Sequence, residues 1–179
     1  MLHTMSETVI VAALKRGNLR RAVELILDTY QDEIYGYCAS VVGSVESGSV
    51  YQQVLVAALE ELPTFNGLVS IRAWLYGVAR RVVLRFQQEG KASPEPVPSG
   101  PTGGEDLPGL RPTDVELESC FSGLDSVPRE LLQLTLWHGL LLSEAAYITG
   151  RSLPEARRLA AEGLSALSGD LQRQRGAPS

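Results

Sequence analysis

The stretch Gly48–Gln88, GSVYQQVLVAALEELPTFNGLVSIRAWLYGVARRVVLRFQQ, decides the fold. Ala73, Leu75, Val78, Ala79, Val82 and Phe86 recur at three- and four-residue steps, the period of one buried helical stripe, and the stripe begins beside Trp74. Upstream, Val50, Val54, Leu55, Ala58 and Leu62 keep the same period. Two amphipathic helices are therefore expected, joined by a turn-rich connector from Pro63 to Ser70. Arg81 and Arg85 stand one turn apart on the outward face of the second helix, with Arg80 beside them. The pattern is a helical hairpin whose second arm offers arginines.

Working outward, Ser6 to Leu14 reads as a short helix closed by Gly17, and Asn18 is a cap for a long helix from Leu19 to Val42, bent near Gln31. Gly43 to Ser49 reads as a break before the hairpin. The composition changes at Gln88. From there to Pro112 the chain is rich in proline and glycine, with a GPTGG run and almost no large apolar residue. Such a segment buries too little surface to offset the entropy of ordering it, so residues 91–112 are expected to be a flexible linker. Helices resume at Val115–Phe121 and Leu124–His138. Ser143 is a cap for a brief helix, Glu144 to Thr149, ended by Gly150. Ser152 and Glu155 then have capping-box spacing for a last helix to about Leu171, with Ala156, Leu159, Ala160, Gly163, Leu164 and Leu167 on its apolar face. Short helices with a glycine turn before the second are the pattern of a helix-turn-helix. The fold class is all-α, with small helical domains at 1–90 and 113–179.

Composition narrows the function. The chain has 179 residues, 44% of them hydrophobic, enough for real cores, and a mean hydropathy of +0.01 argues against wholesale disorder. No apolar run approaches the roughly 20 residues that span a bilayer, and the N-terminus lacks a basic region ahead of its short apolar segment, so a cytoplasmic protein without membrane insertion is expected. The two cysteines, Cys38 and Cys120, lie far apart with no metal-ligand spacing around them, and the two histidines, His3 and His138, sit in no nucleophile or phosphate-loop motif. No enzyme, metal or cofactor is expected. The net charge is −5 and neither half of the chain is basic. A free-standing DNA-binding domain displaces counterions with Lys and Arg, whereas a subunit delivered to DNA by a larger machine manages with fewer.

The order Gln52, Leu55, Ala58, Leu59, then Phe65-Asn66-Gly67, then Arg72-Ala73-Trp74-Leu75-Tyr76-Gly77-Val78-Ala79-Arg80 resembles the first conserved domain of bacterial extracytoplasmic-function (ECF) sigma factors. The series Leu124 to Pro128-Arg129-Glu130, Leu142-Ser143-Glu144-Ala145-Ala146 and Gly150-Arg151-Ser152 resembles their second domain. The resemblance implies an alternative sigma factor that directs RNA polymerase to promoters, with core RNA polymerase and promoter DNA as partners and an anti-sigma factor as a further candidate. It implies polymerase contact through Gln52, Gln53 and Leu55, and opening of the minus-ten element by Phe65, Asn66, Arg72, Trp74, Arg80, Arg81 and Arg85. A flipped base would stack in the connector. Contact with the minus-thirty-five duplex falls to Ser143, Arg151, Ser152, Arg157 and Arg158.

The sequence also departs from that family. Gly48 and Ser49 stand where an acidic pair is usual, and Glu155 stands where threonine is usual. Leu159 and Leu164 lie where basic residues are common and form a candidate partner face. These departures support an alternative reading, a degenerate sigma-like regulator that binds an anti-sigma factor or another protein without reading promoters.

Overall fold

The computed structural model describes residues 2–90 and 121–176, and every regular element among them is helical. The chain divides into two compact units, Met1–Val97 and Pro98–Ser179. The linker expected at 91–112 and the helix expected from Val115 lie outside the described residues, apart from the last helical turn at Phe121.

In the first unit, α1 (Leu2–Lys15) starts earlier than Ser6 and ends where Gly17 takes a positive φ of 71°. Asn18 caps α2 (Leu19–Val42), its Oδ1 accepting from the Arg21 amide at 3.1 Å. Ala22, Ile26, Tyr30, Ile34, Tyr37, Cys38 and Val42 bury one face of α2, which runs without a break through Gln31, where a bend was expected. The expected break at Gly43–Ser49 shrinks to one residue. Gly43, with φ 87° and ψ 165°, turns the chain, and α3 (Ser44–Glu61) begins at once. Glycine has no Cβ to clash in that conformation. Ser47 compensates for the poor helix formers around it: fully buried, it donates to the Ser44 carbonyl at 2.9 Å and shares a 3.0 Å hydrogen bond with the Tyr35 hydroxyl, tying α3 to α2.

A 3₁₀ turn at Leu62–Thr64 follows, with Pro63 inside it, and the connector leads to α4 (Ile71–Gln88). Ser70 caps α4, its Oγ accepting from the Ala73 amide at 3.0 Å. Every residue from Ala73 to Ala79 is buried, as are Ile71, Val82, Val83 and Phe86. A helix apolar on nearly all sides belongs at the centre of its unit, and α4 packs on both α2 and α3. Each large apolar side chain buried there contributes about 1.5–3 kcal/mol.

In the second unit the helix expected from Leu124 to His138 is α-helical only as α5 (Ser126–Leu132), and Gln133–Trp137 is a π-helical turn. The His138 amide reaches back to the Gln133 carbonyl at 3.2 Å and the Leu140 amide to Leu134 at 3.0 Å, while Thr135 Oγ1 donates to the Leu131 carbonyl at 2.9 Å. A hydroxyl bonding back into the ladder loosens a helix, and Gly139, at φ 59°, then ends it. The next helix, α6 (Leu142–Thr149), starts before Ser143, which is therefore not its cap. Instead the Glu144 carboxylate accepts from the Leu141 amide at 3.0 Å, half of a capping box made without a hydroxyl. Gly150, left-handed at φ 68°, turns the chain into α7 (Leu153–Gly176), longer than the expected end near Leu171.

Phe121, Leu124, Leu132, Ala160 and Leu167 form the core of this unit, with Trp137 and Leu142 packed against it. The Phe121 and Trp137 rings meet edge to face with centroids 4.2 Å apart. Gly163 lets α7 approach α5 closely, since a Cβ there would stand 2.8 Å from Leu132 Cδ1 and 3.2 Å from Pro128 Cβ. The apolar face of α7 is narrower than its sequence suggested. Ala156, Ala160, Gly163 and Leu167 are buried, Leu159 is half-buried, and Leu164 keeps 48% exposure.

Candidate nucleic-acid interface

In the first unit, Val50, Val54 and Ala58 face the core, which turns Gln52 and Gln53 outward and leaves Leu55 half-buried. The same outward face carries Val56 and Leu59, at 56% and 50% exposure. Sequence reading did not single these out as surface. Their position out of step with the Val50, Val54, Ala58 series was the available signal.

The connector is built from local hydrogen bonds. Asn66 Oδ1 accepts from the Leu68 amide at 3.0 Å, an Asx turn that Gly67 completes with φ 72°. This turn projects Leu68 into solvent at 84% exposure. Phe65 folds back against Trp74 of α4, ring centroids 5.4 Å apart and planes tilted by 59°. Phe65 remains half-buried while Trp74 is buried, so the accessible aromatic surface of the pair belongs to Phe65.

Two carboxylates hold the start of α4 from different helices. Glu7 of α1 accepts from the Ile71 amide at 2.6 Å. Glu33 of α2 accepts from Arg72 through Nε at 2.7 Å and through Nη2, and from the Tyr76 hydroxyl at 3.0 Å. The Arg72 guanidinium also lies 5.8 Å from the centre of the Tyr76 ring. Burial, then the neighbouring Glu33 charge, push the Tyr76 hydroxyl far above its ordinary pKa, so it stays a neutral donor. Arg72 is thereby part of the scaffold beneath the connector.

The outer arginines differ from it. Arg80 is half-buried. Arg81 is exposed and paired with Glu61 of α3, whereas Arg85 is exposed and has no partner among the described residues. Phe65, Asn66 and Trp74 are thus brought together, Arg81 and Arg85 line one outward face one turn apart, and Arg72 points inward to Glu33.

In the second unit, α6, the Gly150 turn and α7 make a helix-turn-helix. Ser152 Oγ accepts from the Glu155 amide at 3.4 Å at the start of α7. Ser143, Arg151, Ser152, Arg157 and Arg158 are accessible along this motif, but the arginines are not equivalent. Arg151 Nη1 is 2.7 Å from Glu155 Oε1, and Arg158 Nη1 is 2.6 Å from Glu162 Oε1. Arg157 alone of these has no partner among the described residues. Behind them, Arg129 donates to the carbonyls of Ser122 and Leu124, closing the turn ahead of α5. No cluster of metal-ligating side chains occurs among the described residues, and no helix there is long and apolar enough to cross a membrane.

Residues 26–91 match the family model described as sigma-70 region 2. These are α2 from Ile26 onward, α3, the connector and α4. No curated protein matches the sequence significantly. Among solved structures, CnrH in complex with the cytosolic domain of CnrY is similar at 20% identity with a TM-score of 0.66, covering 94% of this chain and 98% of that one. The sigma factor RpoE from Bartonella quintana, in complex with the anti-sigma factor NepR, is similar at 17% identity with a TM-score of 0.60, covering 83% of this chain and 96% of that one. Identities this low establish a shared fold, and that fold runs through both helical units. The first unit is therefore similar to sigma-70 region 2 over residues 26–91, and the chain shares the fold of these solved structures.

Proposed function

We propose that this protein is an alternative sigma factor of the ECF type, acting in the cytoplasm to direct core RNA polymerase to promoter DNA. The observation that carries the proposal is the coincidence of the region 2 match, residues 26–91, with a hairpin whose connector presents Phe65 over Trp74 and whose second arm presents Arg81 and Arg85. In this reading Gln52, Gln53 and the half-buried Leu55 contact polymerase, joined by Val56 and Leu59 on the same face. Phe65 and Asn66 receive an unstacked base of the minus-ten element, against a wall formed by Trp74. Arg85 and Arg80, and Arg81 on exchanging its Glu61 partner for phosphate, hold the strand backbone by charge-assisted hydrogen bonds. Arg72 acts indirectly, by fixing the first turn of α4 on Glu33. The second unit lays α7 against the minus-thirty-five duplex.

The test is a pull-down of core RNA polymerase with the purified protein, followed by run-off transcription on genomic fragments. Binding with initiation that is lost in an Arg81→Ala/Arg85→Ala variant is the expected result. Absence of binding to core polymerase would overturn the proposal.

A second reading, a sigma-like regulator that binds an anti-sigma factor without using promoters, is favoured by the paired arginines of α7 and the exposed Leu164. The sigma factor RpoE, similar in fold, is itself held by an anti-sigma factor. Under this reading Arg81→Ala/Arg85→Ala is tolerated, and Leu164→Glu abolishes partner binding without unfolding the protein.

A further inference from the structure

The ion pairs along α7 change what its DNA-facing side can do. Between Arg151 and Glu162 the chain carries Arg151, Arg157 and Arg158 against Glu155 and Glu162. Both carboxylates sit one turn after an arginine and contact it, Glu155 on Arg151 at 2.7 Å and Glu162 on Arg158 at 2.6 Å. All four side chains are accessible, at 40% and 35% in the first pair and 62% and 53% in the second, so the pairs form on the surface that a duplex would approach. A carboxylate at hydrogen-bond distance from a guanidinium takes the place that a phosphate oxygen would take, and its charge repels the phosphate as well.

We infer that Glu155 and Glu162 act as built-in phosphate mimics that mask Arg151 and Arg158, leaving Arg157 as the main phosphate contact of α7. The inference rests on the sigma-factor reading only in assigning α7 to duplex DNA. Its functional meaning is that the second unit adds little affinity of its own. Promoter choice then falls chiefly to the first unit, and loss of the minus-thirty-five element weakens initiation only slightly.

Phosphate contacts have a measurable signature, because each phosphate neutralised adds about 0.9 to the slope of log affinity against log salt. At about 0.1 M salt this corresponds to roughly eightfold in affinity for each additional phosphate neutralised. The experiment uses the full chain and a short fluorescent duplex of mixed sequence, titrated at several salt concentrations and followed by anisotropy. Glu155→Gln/Glu162→Gln is expected to bind about tenfold or more tighter than wild type at about 0.1 M salt, with a slope steeper by nearly two. Adding Arg151→Ala/Arg158→Ala to that variant should erase the increase. Circular dichroism verifies that each variant keeps its helix content.

Unchanged affinity and slope in the glutamine variant would overturn the masking. So would an increase that survives when Arg151→Ala/Arg158→Ala is added to that variant. Run-off transcription with core polymerase separates this outcome from the fate of the sigma-factor reading: a glutamine variant that binds duplex more tightly while the wild type fails to initiate upholds the masking and refutes that reading.

Discussion

Replacing Glu33 by alanine tests the scaffold under the connector. Its Oε1 receives the Arg72 guanidinium and the Tyr76 hydroxyl, from two side chains of α4 one turn apart. Removing one partner from a fully buried charge pair costs about 3–5 kcal/mol. Here each side chain keeps 21% exposure, so solvent screens part of the loss and about 2–3 kcal/mol is the reasonable figure. A unit of about ninety residues loses roughly 4–8 °C of Tm per kcal/mol, which places the expected fall at about 10–20 °C. The assay is thermal unfolding of the full chain by circular dichroism, in which the first unit should melt early while the second keeps its transition. Glu33→Gln, which retains an acceptor oxygen but not the charge, should lose about half as much. The double variant Glu33→Ala/Arg72→Ala should cost less than the single effects combined, by about 1 kcal/mol or more, since the two groups act as a pair. A fall of less than about 3 °C in Glu33→Ala would refute the reasoning, as would equal displacement of both transitions.

Gly163→Val should destabilise the second unit by about 2 kcal/mol or more, because even a Cβ at this position meets the buried Leu132 at 2.8 Å and the rigid Pro128 ring at 3.2 Å; denaturant unfolding measures it. Ser70→Ala should cost about 1 kcal/mol by removing the cap on the Ala73 amide, read from the same melt of the first unit. Burial pushes the Cys38 thiol up to about 12 from its ordinary 9.0, so it should resist alkylation at pH 8 in the native state. Because its folded pKa lies above the unfolded one, the stability it contributes is complete below pH 9 and is lost as pH rises towards 12, by at most about 1.4 kcal/mol per pH unit. Cys38→Ala should flatten that decline.

Much of this was legible in the sequence, for reasons particular residues make plain. The stripes of α2 and α4 are long enough for a 3.6-residue period to dominate, and the cap at Asn18 is a short polar side chain just ahead of its stripe, whereas Ser70 was read only as the end of the connector. The misjudged boundaries share a cause, because local propensity there was overridden by a contact distant in sequence or by an unusual acceptor. Gly43–Ser49 reads as a break until Ser47 is seen to reach Tyr35 across the corner. Ser143 looks like a cap because serine usually is one, yet the Glu144 carboxylate takes that role from inside the helix. The π turn at Gln133–Trp137 has no periodic signature, since a single extra residue per turn disturbs the pattern too briefly to register. At the candidate site, pairing was the hidden variable. Sequence alone shows Arg72 and Arg85 as equivalent cations, but Glu33 lies 39 residues before Arg72, and no local rule brings them together.

The same hidden variable bears on how a chain of net charge −5 could serve at a promoter. Charge counts treat every arginine as available to DNA, whereas Arg72, Arg81, Arg151 and Arg158 each hold a carboxylate of this chain. Arg85 and Arg157 remain as the outward cations of the two proposed DNA faces without a partner among the described residues. A protein so equipped would scan DNA poorly by itself, because non-specific affinity follows the number of phosphates neutralised. Carried by polymerase, it would need only to discriminate, and discrimination depends on base contacts more than on phosphate contacts. Free duplex binding should accordingly be weak and shallow in salt dependence, while binding in the presence of core polymerase should depend sharply on Phe65 and on the sequence it receives. Phe65→Ala that left promoter choice by the assembled enzyme unchanged would break this argument at its centre.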